Sequence, residues 1–381
     1  MITITSAKER LNRGLVQHPH FDDALRRIMS EIEFPTDTKL LLVVGPTGVG
    51  KTRLREQVEK HILKLAATKQ ANNPGRIPCV SFEVPSIASN HRFSWREFYY
   101  AYMTHLEAPF VLEPNKLARA SMGDWSRSPE QAVLNALKYR QPSVVLLDEA
   151  NHFASVASGR TLLEQMTRIK SFANRSGILH VCFGTYELVQ MANLSGQLAR
   201  RCDIVNFGRY RAGQGNEIEY ANFKVLLRTF QKSMGVAPQL DMSSIATYFH
   251  ERSIGCAGIV KTWLMKALAH AAKAGRAEIT HDDLRASELS VEKLRRMLEE
   301  TKLGEDYLTE SPNELELLRQ DLGHTAPKLK AILSQSELWE ERMNSPAGIV
   351  VTKPKLKPGE QSPRRYPAGG AYDGSMGGPL K

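Results

Sequence analysis

A short apolar run that leads into a glycine-rich loop constrains this chain more than any other feature of its sequence. Residues 39–45 read KLLLVVG, and the loop continues to Thr52 as GPTGVGKT, which matches the pattern GxxxxGK[ST]. The run is short and uncharged after its first residue, as a buried parallel strand is. The residues from Lys51 onward predict a helix. A strand, a loop and a helix in this order predict a phosphate-binding loop in an α/β domain. The alternative is a glycine-rich turn without a function, which would not require a strand before it and a helix after it.

The residues of the loop have distinct predicted roles. Its glycines allow backbone N–H groups to point at phosphate oxygens, and the N-terminus of the following helix adds a partial positive charge. We expect Lys51 to reach the β- and γ-phosphates and the Thr52 hydroxyl to bind Mg²⁺. The predicted nucleotide-binding residues of this segment are Gly45, Pro46, Thr47, Gly48, Val49, Gly50, Lys51, Thr52 and Arg53.

A second apolar run ends in two adjacent carboxylates. Residues 144–153 read VVLLDEANHF, so a buried strand is predicted to deliver Asp148 and Glu149 at its carboxyl end, where ligands bind in such sheets. Asp148 is predicted to bind Mg²⁺, and Glu149 is predicted to polarise water as a general base. Activation of water indicates hydrolysis of a nucleoside triphosphate. Because the sequence contains no guanine-reading NKxD motif, the predicted cofactors are ATP and Mg²⁺.

Three further apolar runs complete a predicted sheet of about five parallel strands. They cover residues 77–84, 177–184 and 203–207 and alternate with amphipathic helices, which indicates a doubly wound α/β domain. Thr185 follows the second of these runs, where its hydroxyl would either touch the γ-phosphate or attacking water, or cap a helix. Arg200 and Arg201 precede the third. This pair would either act as an arginine finger in a neighbouring subunit's site, or be solvated, or contact DNA.

The remaining sequence predicts mostly helices. The predicted divisions are a helical lead-in over 1–37, an α/β nucleotide-binding domain over 38–212, a small all-helical domain over 213–290, a helical extension over 291–345, and a basic disordered tail over 346–381. The tail is predicted to be disordered because it is rich in Pro and Gly and carries a net positive charge.

Composition narrows the partners and the compartment. The chain of 381 residues has 51 Lys and Arg against 41 Asp and Glu, a net charge of +10, which is typical either of a protein with a polyanionic partner or of a soluble protein that is merely basic. The four cysteines show no CxxC spacing and are predicted to be buried thiols of a reducing compartment. No apolar run reaches the roughly 18 residues of a membrane span, and the N-terminus lacks a signal-peptide core. We therefore expect a cytoplasmic location and no membrane partner.

The motifs together resemble a known family. GPTGVGKT, LLDEANHF, FGTYELV and QLARR resemble AAA+ ATPases, and HPHFDDALRRI with GTYELVQMANLSGQLARRCDIVNFGRY resembles the TniB/TnsC group of transposition regulators. The resemblance covers about residues 15–275. It implies an AAA+ P-loop NTPase of class α/β, with a five-stranded parallel sheet and a small all-helical lid domain. It also implies a homo-oligomeric ring or helical filament on duplex DNA that links a target selector to a transposase in Tn7-like or CRISPR-associated elements, with slow, regulatory ATP hydrolysis.

The resemblance also assigns roles to residues. It implies that Thr185 is sensor 1 and that Arg200 or Arg201 is the finger. Relatives often carry a sensor 2 arginine in a GxxR pattern, but this sequence reads Gly255-Cys-Ala-Gly258, and Lys261 is the nearest substitute. The predicted catalytic residues are therefore Lys51, Asp148, Glu149, Thr185, Arg200 and Arg201, and Lys261 joins the predicted nucleotide contacts.

Basic residues between the second and third strands are the candidate DNA contacts. They are Arg92, Arg96, Lys116 and Arg119, with Arg160 following the carboxylate pair. Contacts from such residues to the DNA backbone are independent of sequence and sensitive to salt. Alternatively, the charges form a solvated helix face and the interleaved aromatic residues belong to the core. Three other functions remain open at this point: a helicase loader or insertion-sequence helper ATPase, a nucleotide-gated scaffold switch without nucleic acid, and a metabolic kinase.

Overall fold

A computed structural model gives the fold over residues 4–14, 17–70, 75–86, 93–107, 129–153, 159–192, 202–234, 241–276, 278–309 and 312–324. These residues form two compact units. An α/β unit comprises the described residues of Gln17–Arg209 together with Cys256–Ile259, and a helical unit comprises the others. The candidate DNA contacts Arg92, Lys116 and Arg119, the pair Arg200 and Arg201, and the tail over 346–381 lie outside the described residues.

The elements follow the alternation that the sequence predicts. In chain order they are α1 (Ile4–Arg13), α2 (Pro19–Glu33), β1 (Leu40–Val44), α3 (Lys51–Gln70), β2 (Cys79–Glu83), α4 (Trp95–His105), α5 (Pro129–Arg140), β3 (Val144–Asp148), a 3₁₀ turn (Ala150–Phe153), α6 (Gly159–Ser176), β4 (Leu179–Gly184), α7 (Glu187–Ala192), β5 (Cys202–Asn206), α8 (Glu217–Met234), α9 (Ala246–Ser253), α10 (Ala257–Lys273), α11 (His281–Arg285), α12 (Val291–Leu308) and α13 (Pro312–Asp321).

The five strands form one parallel sheet in the order β2-β3-β4-β1-β5. Every residue of β1, β3 and β4 is buried, as expected of strands covered on both faces. The predicted α/β class, with a five-stranded parallel sheet and a small helical domain, is confirmed. Because all the strands run in the same direction, the segments that follow β1, β3 and β4 leave the sheet at one edge.

Three of the aromatic residues of α4 are core residues, whereas Tyr100 is exposed. Phe98, Tyr99 and Tyr102 are at most 1% exposed, and they pack among Phe82 and Phe153 at ring-centroid distances of 4.8–5.9 Å for the contacting pairs. Aromatic side chains buried in this way cannot stack on the bases of a nucleic acid. The second of the two interpretations of these residues is therefore correct, while the charged residues of α4 are a separate question.

The two helices of the predicted lead-in belong to different units. Helix α1 packs against α8 in the helical unit, whereas α2 packs against β5 and α3 in the α/β unit. His18, which precedes α2, is buried, and its Nδ1 accepts the backbone N–H of Phe21. Burial lowers the pKa of His18 to about 3, so the ring is neutral and can act as this acceptor. The HPHF segment therefore fixes the start of α2.

The helical unit is held together by an apolar stripe on α10. Its buried residues recur at helical spacing and are Val260, Trp263, Leu264, Ala267, Leu268 and Ala271. The indole N–H of Trp263 donates a hydrogen bond of 2.8 Å to the carbonyl of Leu284 in α11. Trp263 also lies 4.9 Å, centroid to centroid, from Phe249 of α9. A buried indole with its N–H satisfied contributes its whole apolar surface to the core.

A buried carboxylate fixes the α10–α11 connection. Asp283 is fully buried and accepts hydrogen bonds from both terminal nitrogens of Arg276, at 2.6 and 2.5 Å, and from the backbone N–H and hydroxyl of Thr280. The Nδ1 atom of His270 lies 2.6 Å from its Oδ1 atom. The Arg276 guanidinium holds the pKa of Asp283 well below its usual range. The ionised form of Asp283 therefore stabilises the helical unit.

We expect Asp283→Asn to lower the free energy of unfolding by about 2 kcal/mol at neutral pH, since hydrogen bonds to a charged group are lost. A depressed folded-state pKa gives stability that is present above the unfolded value of about 4 and is lost as the pH falls below it. The difference in free energy of unfolding between wild type and variant, measured with urea, should therefore become smaller as the pH is lowered from 5 to 2. The exposed Asp282 of the same helix provides the control, Asp282→Asn, with little expected change. A difference that does not vary with pH would contradict this role.

Candidate nucleotide-binding site

The glycine-rich loop connects β1 to α3 at the carboxyl edge of the sheet. Val49 is buried and anchors the loop, whereas Thr47, Gly48 and Thr52 are exposed. Gly50 has a φ of 116°, a conformation that L side chains rarely adopt, and its backbone leads directly into the first turn of α3. At Gly48 the loop exposes main chain with no side chain in the way, which suits the close approach of phosphate oxygens.

Lys51 is held against the loop. Its Nζ atom donates hydrogen bonds of 2.9 Å to the carbonyl oxygens of Gly45 and of Pro46. Burial lowers the pKa of Lys51 to about 8, although the charges of Glu149 and Asp148 oppose this shift. A cation that is poorly hydrated and held by two carbonyl groups gains from contact with an anion. The geometry therefore fits a lysine that binds phosphate.

The carboxylate pair lies at the carboxyl end of β3, where Asp148 is the last residue of the strand and Glu149 follows it. Asp148 is 6% exposed; its Oδ1 accepts the backbone N–H of Glu149 at 3.0 Å, and its Oδ2 accepts the Nε–H of Arg55 at 3.3 Å. Glu149 has a φ of 49°, in the left-handed region that favours glycine. Backbone strain of this kind costs about 1–3 kcal/mol and is concentrated at functional sites. The turn at Glu149 directs the chain away from β3 directly after Asp148.

Thr185 follows β4 and has a buried hydroxyl. Within the described part of the chain, its Oγ1 atom has no hydrogen-bond partner. Such atoms are rare, because an unsatisfied buried polar group costs about 1–3 kcal/mol. The hydroxyl does not cap α7 in this structure, since a cap would be a hydrogen bond. An unpartnered hydroxyl at this edge fits the alternative, contact with a phosphate or with water.

The strand register brings these groups to one place. Val44 of β1 pairs with Gly184 of β4, so the loop and Thr185 both begin one residue beyond a paired position. Leu147 of β3 pairs with Cys182 of β4, and Asp148 follows. Lys51, Asp148, Glu149 and Thr185 therefore belong to the same edge of the sheet, as the sequence predicts for the ends of parallel strands.

The chemistry of the site suits Mg²⁺. This ion prefers oxygen ligands and is usually held by one or two protein oxygens together with substrate phosphates. The exposed Thr52 hydroxyl and the Asp148 carboxylate are ligands of this kind. No group of three or more His, Cys, Asp or Glu side chains that could hold a metal alone occurs among the described residues.

The other predicted residues lie as follows. Arg53 forms an ion pair of 2.7 Å with Glu56 on the same helix, and Lys261, in the helical unit, donates a hydrogen bond of 3.3 Å to the carbonyl of Asn12. Arg96 is exposed on α4. Arg160 is part of α6, but its side chain lies outside the described residues.

Arg55 is a site residue that the motifs do not indicate. It lies between the buried residues Leu54 and Val58 on α3, the helix that follows the loop. A charged residue among the apolar positions of a helix that packs on a sheet requires a partner. This signal is present in the sequence, but it does not identify Asp148 as the partner.

The fold and the site define a P-loop NTPase of the AAA+ class. The family model described as "Bacterial TniB protein" matches residues 10–212, more than half of the chain. The chain therefore belongs to the TniB family, and the predicted resemblance is confirmed. Fold and family indicate nucleotide binding and hydrolysis in a process that involves DNA.

Three solved structures are similar to this chain at low sequence identity. The Aeropyrum pernix ORC2 protein in its ADP form is 13% identical with a TM-score of 0.48, covering 74% of this chain and 71% of that one. The Aeropyrum pernix ORC1 protein in complex with DNA is 14% identical with a TM-score of 0.49, covering 74% and 68%. The CDC6P protein from Pyrobaculum aerophilum is 16% identical with a TM-score of 0.49, covering 73% and 69%.

A comparison with curated protein sequences finds no match to this chain. Among the helices of the described residues, none is both long enough and apolar enough to cross a membrane.

Proposed function

We propose that this protein is an ATP-dependent, DNA-binding regulator of transposition, of the kind known as TnsC, that assembles on duplex DNA. In this role it links a target selector to a transposase in the bacterial cytoplasm. The observation that carries the proposal is the match to the TniB family over residues 10–212, which contains the whole phosphate-binding edge of the sheet. The net charge of +10 is consistent with a polyanionic partner.

The residues at the carboxyl edge of the sheet support the proposed hydrolysis in the following way. Lys51 and the loop amides bind the phosphates, and Thr52 and Asp148 hold Mg²⁺, which neutralises phosphate charge when it is bound. Glu149 takes a proton from the attacking water, and the Thr185 hydroxyl orients that water or the γ-phosphate. The oxygen of this water bonds to the terminal phosphorus while the bond from that phosphorus to the bridging oxygen breaks, so that ADP and phosphate are the products.

The proposed regulation depends on neighbouring subunits. Arg200 or Arg201 of one subunit contacts the nucleotide of the next and stabilises charge in the transition state. Bound ATP therefore stabilises the contact between subunits, and its hydrolysis weakens that contact. Turnover is slow until a partner aligns this arginine. Arg92, Arg96, Lys116, Arg119 and Arg160 contact the DNA backbone, and the tail over 346–381 is the segment proposed to contact DNA or a transposase.

Electron microscopy of the purified protein on duplex DNA tests this proposal, with ATP, a non-hydrolysable analogue and ADP compared. We expect rings or filaments with ATP and with the analogue, and few with ADP. Arg200→Ala and Arg201→Ala identify the finger, because one of them should abolish assembly while nucleotide binding persists. Lys302→Ala, an exposed cation on α12, is the matched control for lost charge.

Three outcomes of this experiment separate the candidate functions. Bare DNA and dispersed particles in every nucleotide state would contradict the assembly proposal. Assembly that depends on the nucleotide but does not take place on DNA would favour a scaffold switch. Assembly on DNA whose binding persists undiminished at high salt would contradict backbone contacts by the basic residues, since these release counterions.

A further inference from the structure

Arg55 forms a charge network beneath the phosphate-binding loop. Its side chain is 16% exposed and lies on α3, one turn beyond Lys51. Its Nε atom donates to Asp148 Oδ2 at 3.3 Å, and one terminal nitrogen donates to Glu59 Oε2 at 3.1 Å and to the hydroxyl of Ser81. This one guanidinium therefore connects the predicted metal carboxylate on β3 with β2 and with its own helix.

Both oxygens of Asp148 already accept a hydrogen bond from the protein. Oδ1 accepts the Glu149 N–H, and Oδ2 accepts the Arg55 Nε–H. Two donors on two oxygens fix the plane of the carboxylate, leaving lone pairs free for a metal or its water. The two contacts differ in one respect: the Arg55 donor carries a full positive charge, which compensates the charge that would attract a cation.

We propose that Arg55 is a positioning residue that orients Asp148 and limits how tightly the site holds Mg²⁺. The inference rests on the proposed function, since it requires the site to bind nucleotide with Mg²⁺. The Arg55 guanidinium lies 3.3 Å from Asp148 Oδ2, so a cation that binds this carboxylate also approaches a neighbouring positive charge and is repelled by it. Arg55 therefore keeps Mg²⁺ exchangeable and makes the site depend on the nucleotide phosphates for metal binding.

The role of Glu59 follows from the same network. Glu59 is 33% exposed and shares the Arg55 guanidinium with Asp148. Part of the positive charge of Arg55 is therefore compensated by Glu59. Neutralising Glu59 should leave more of that charge to act on Asp148, so this substitution should change metal affinity in the direction opposite to a substitution of Arg55.

The test is calorimetric measurement of ADP affinity at a series of Mg²⁺ concentrations, with the full chain and with no turnover to interfere. We expect Arg55→Met, which keeps length and removes charge, to lower the half-saturating Mg²⁺ concentration by at least about threefold, because the cation no longer approaches a neighbouring positive charge. Glu59→Gln should raise it. Arg55→Lys should remain within about twofold of wild type, because the charge persists. Lys60→Met, an exposed cation on the same helix, is the control.

Thermal melting supplies a second readout. Arg55→Met leaves Asp148 buried without its counter-ion, so we expect ADP with Mg²⁺ to raise its melting temperature more than that of wild type. If Arg55→Met does not fold, Glu59→Gln alone decides by the sign of its effect. The inference would be overturned by a half-saturating Mg²⁺ concentration that is unchanged or higher in Arg55→Met, or lower in Glu59→Gln. The proposed function would still stand. If the ADP affinity of the wild-type chain does not change with Mg²⁺ concentration, both the inference and the proposed function would be overturned.

Discussion

Glu149→Gln is expected to reduce ATP hydrolysis by about 100-fold or more, the usual contribution of a general base. Glutamine has nearly the same shape as glutamate but cannot accept a proton from water at neutral pH. ATP binding should stay within about threefold of wild type, because Lys51 and Asp148 remain in place. The rate of phosphate release measures hydrolysis, and the affinity for a fluorescent ATP analogue measures binding. Both are measured on the same preparation.

A carboxylate on the next strand provides the control for Glu149. Glu83 pairs with Asp148 across β2 and β3 and is exposed, so Glu83→Gln removes a charge at the same sheet edge and should retain hydrolysis. Glu149→Gly separates catalysis from folding. Its φ of 49° suits glycine, so this variant should be equally stable or up to about 1 kcal/mol more stable, yet inactive. Wild-type turnover by Glu149→Gln would exclude Glu149 as the base.

The same substitution bears on the proposed assembly. If ATP joins subunits and hydrolysis separates them, Glu149→Gln should form assemblies on DNA that persist with ATP for as long as those formed with a non-hydrolysable analogue. Assemblies that disperse at the wild-type rate would show that hydrolysis does not time their release.

The sequence predicted the parts of the site that depend on short-range patterns. A buried strand is recognisable from a short run of mostly apolar residues, and parallel strands place their carboxyl ends at one edge whatever the details of packing. Asp148 ends such a strand, and Lys51 and Thr185 follow such strands through a short loop or directly, so their common position could be predicted.

Features that depend on tertiary contacts could not be predicted in this way. Arg55 pairs with a residue 93 positions away, and no local pattern indicates this distance. Helix α1 and helix α2 are separated by only a few residues but belong to different units, because their apolar faces match different partners. The left-handed backbone at Glu149 is imposed by the turn that follows β3, and glutamate itself does not favour it.

The missing sensor 2 arginine has a physical explanation in the start of α10. The segment Cys256–Ile259 belongs to the α/β unit, and the backbone N–H of Ile259 donates a hydrogen bond of 3.1 Å to the carbonyl of Gly48 in the phosphate-binding loop. Gly258 stands at the arginine position of the GxxR pattern. A Cβ atom there would lie 2.4 Å from the same carbonyl oxygen, closer than any side chain can approach.

We therefore expect Gly258→Ala and Gly258→Arg both to weaken nucleotide binding, by roughly tenfold or more. Overpacking typically costs about 1–3 kcal/mol, and 1.4 kcal/mol corresponds to tenfold in affinity. The loop is the element that must shift, because the clash is with its backbone. ATP and ADP affinities, measured by calorimetry for both variants, test this expectation. Thr262, exposed on the same helix, provides controls of matched chemistry, Thr262→Ala and Thr262→Arg, which should stay within about twofold of wild type.

The comparison of the two variants separates sterics from charge. If position 258 lacks an arginine only because the role was lost, Gly258→Arg should bind ATP more tightly than wild type and Gly258→Ala should be neutral. If the helix instead requires a bare backbone against Gly48, both variants should be impaired, and the alanine variant alone is sufficient to show it. Contact between α10 and the loop is then made by the main chain, through the Ile259 N–H, so a change in the loop on nucleotide binding would act directly on the first turn of this helix.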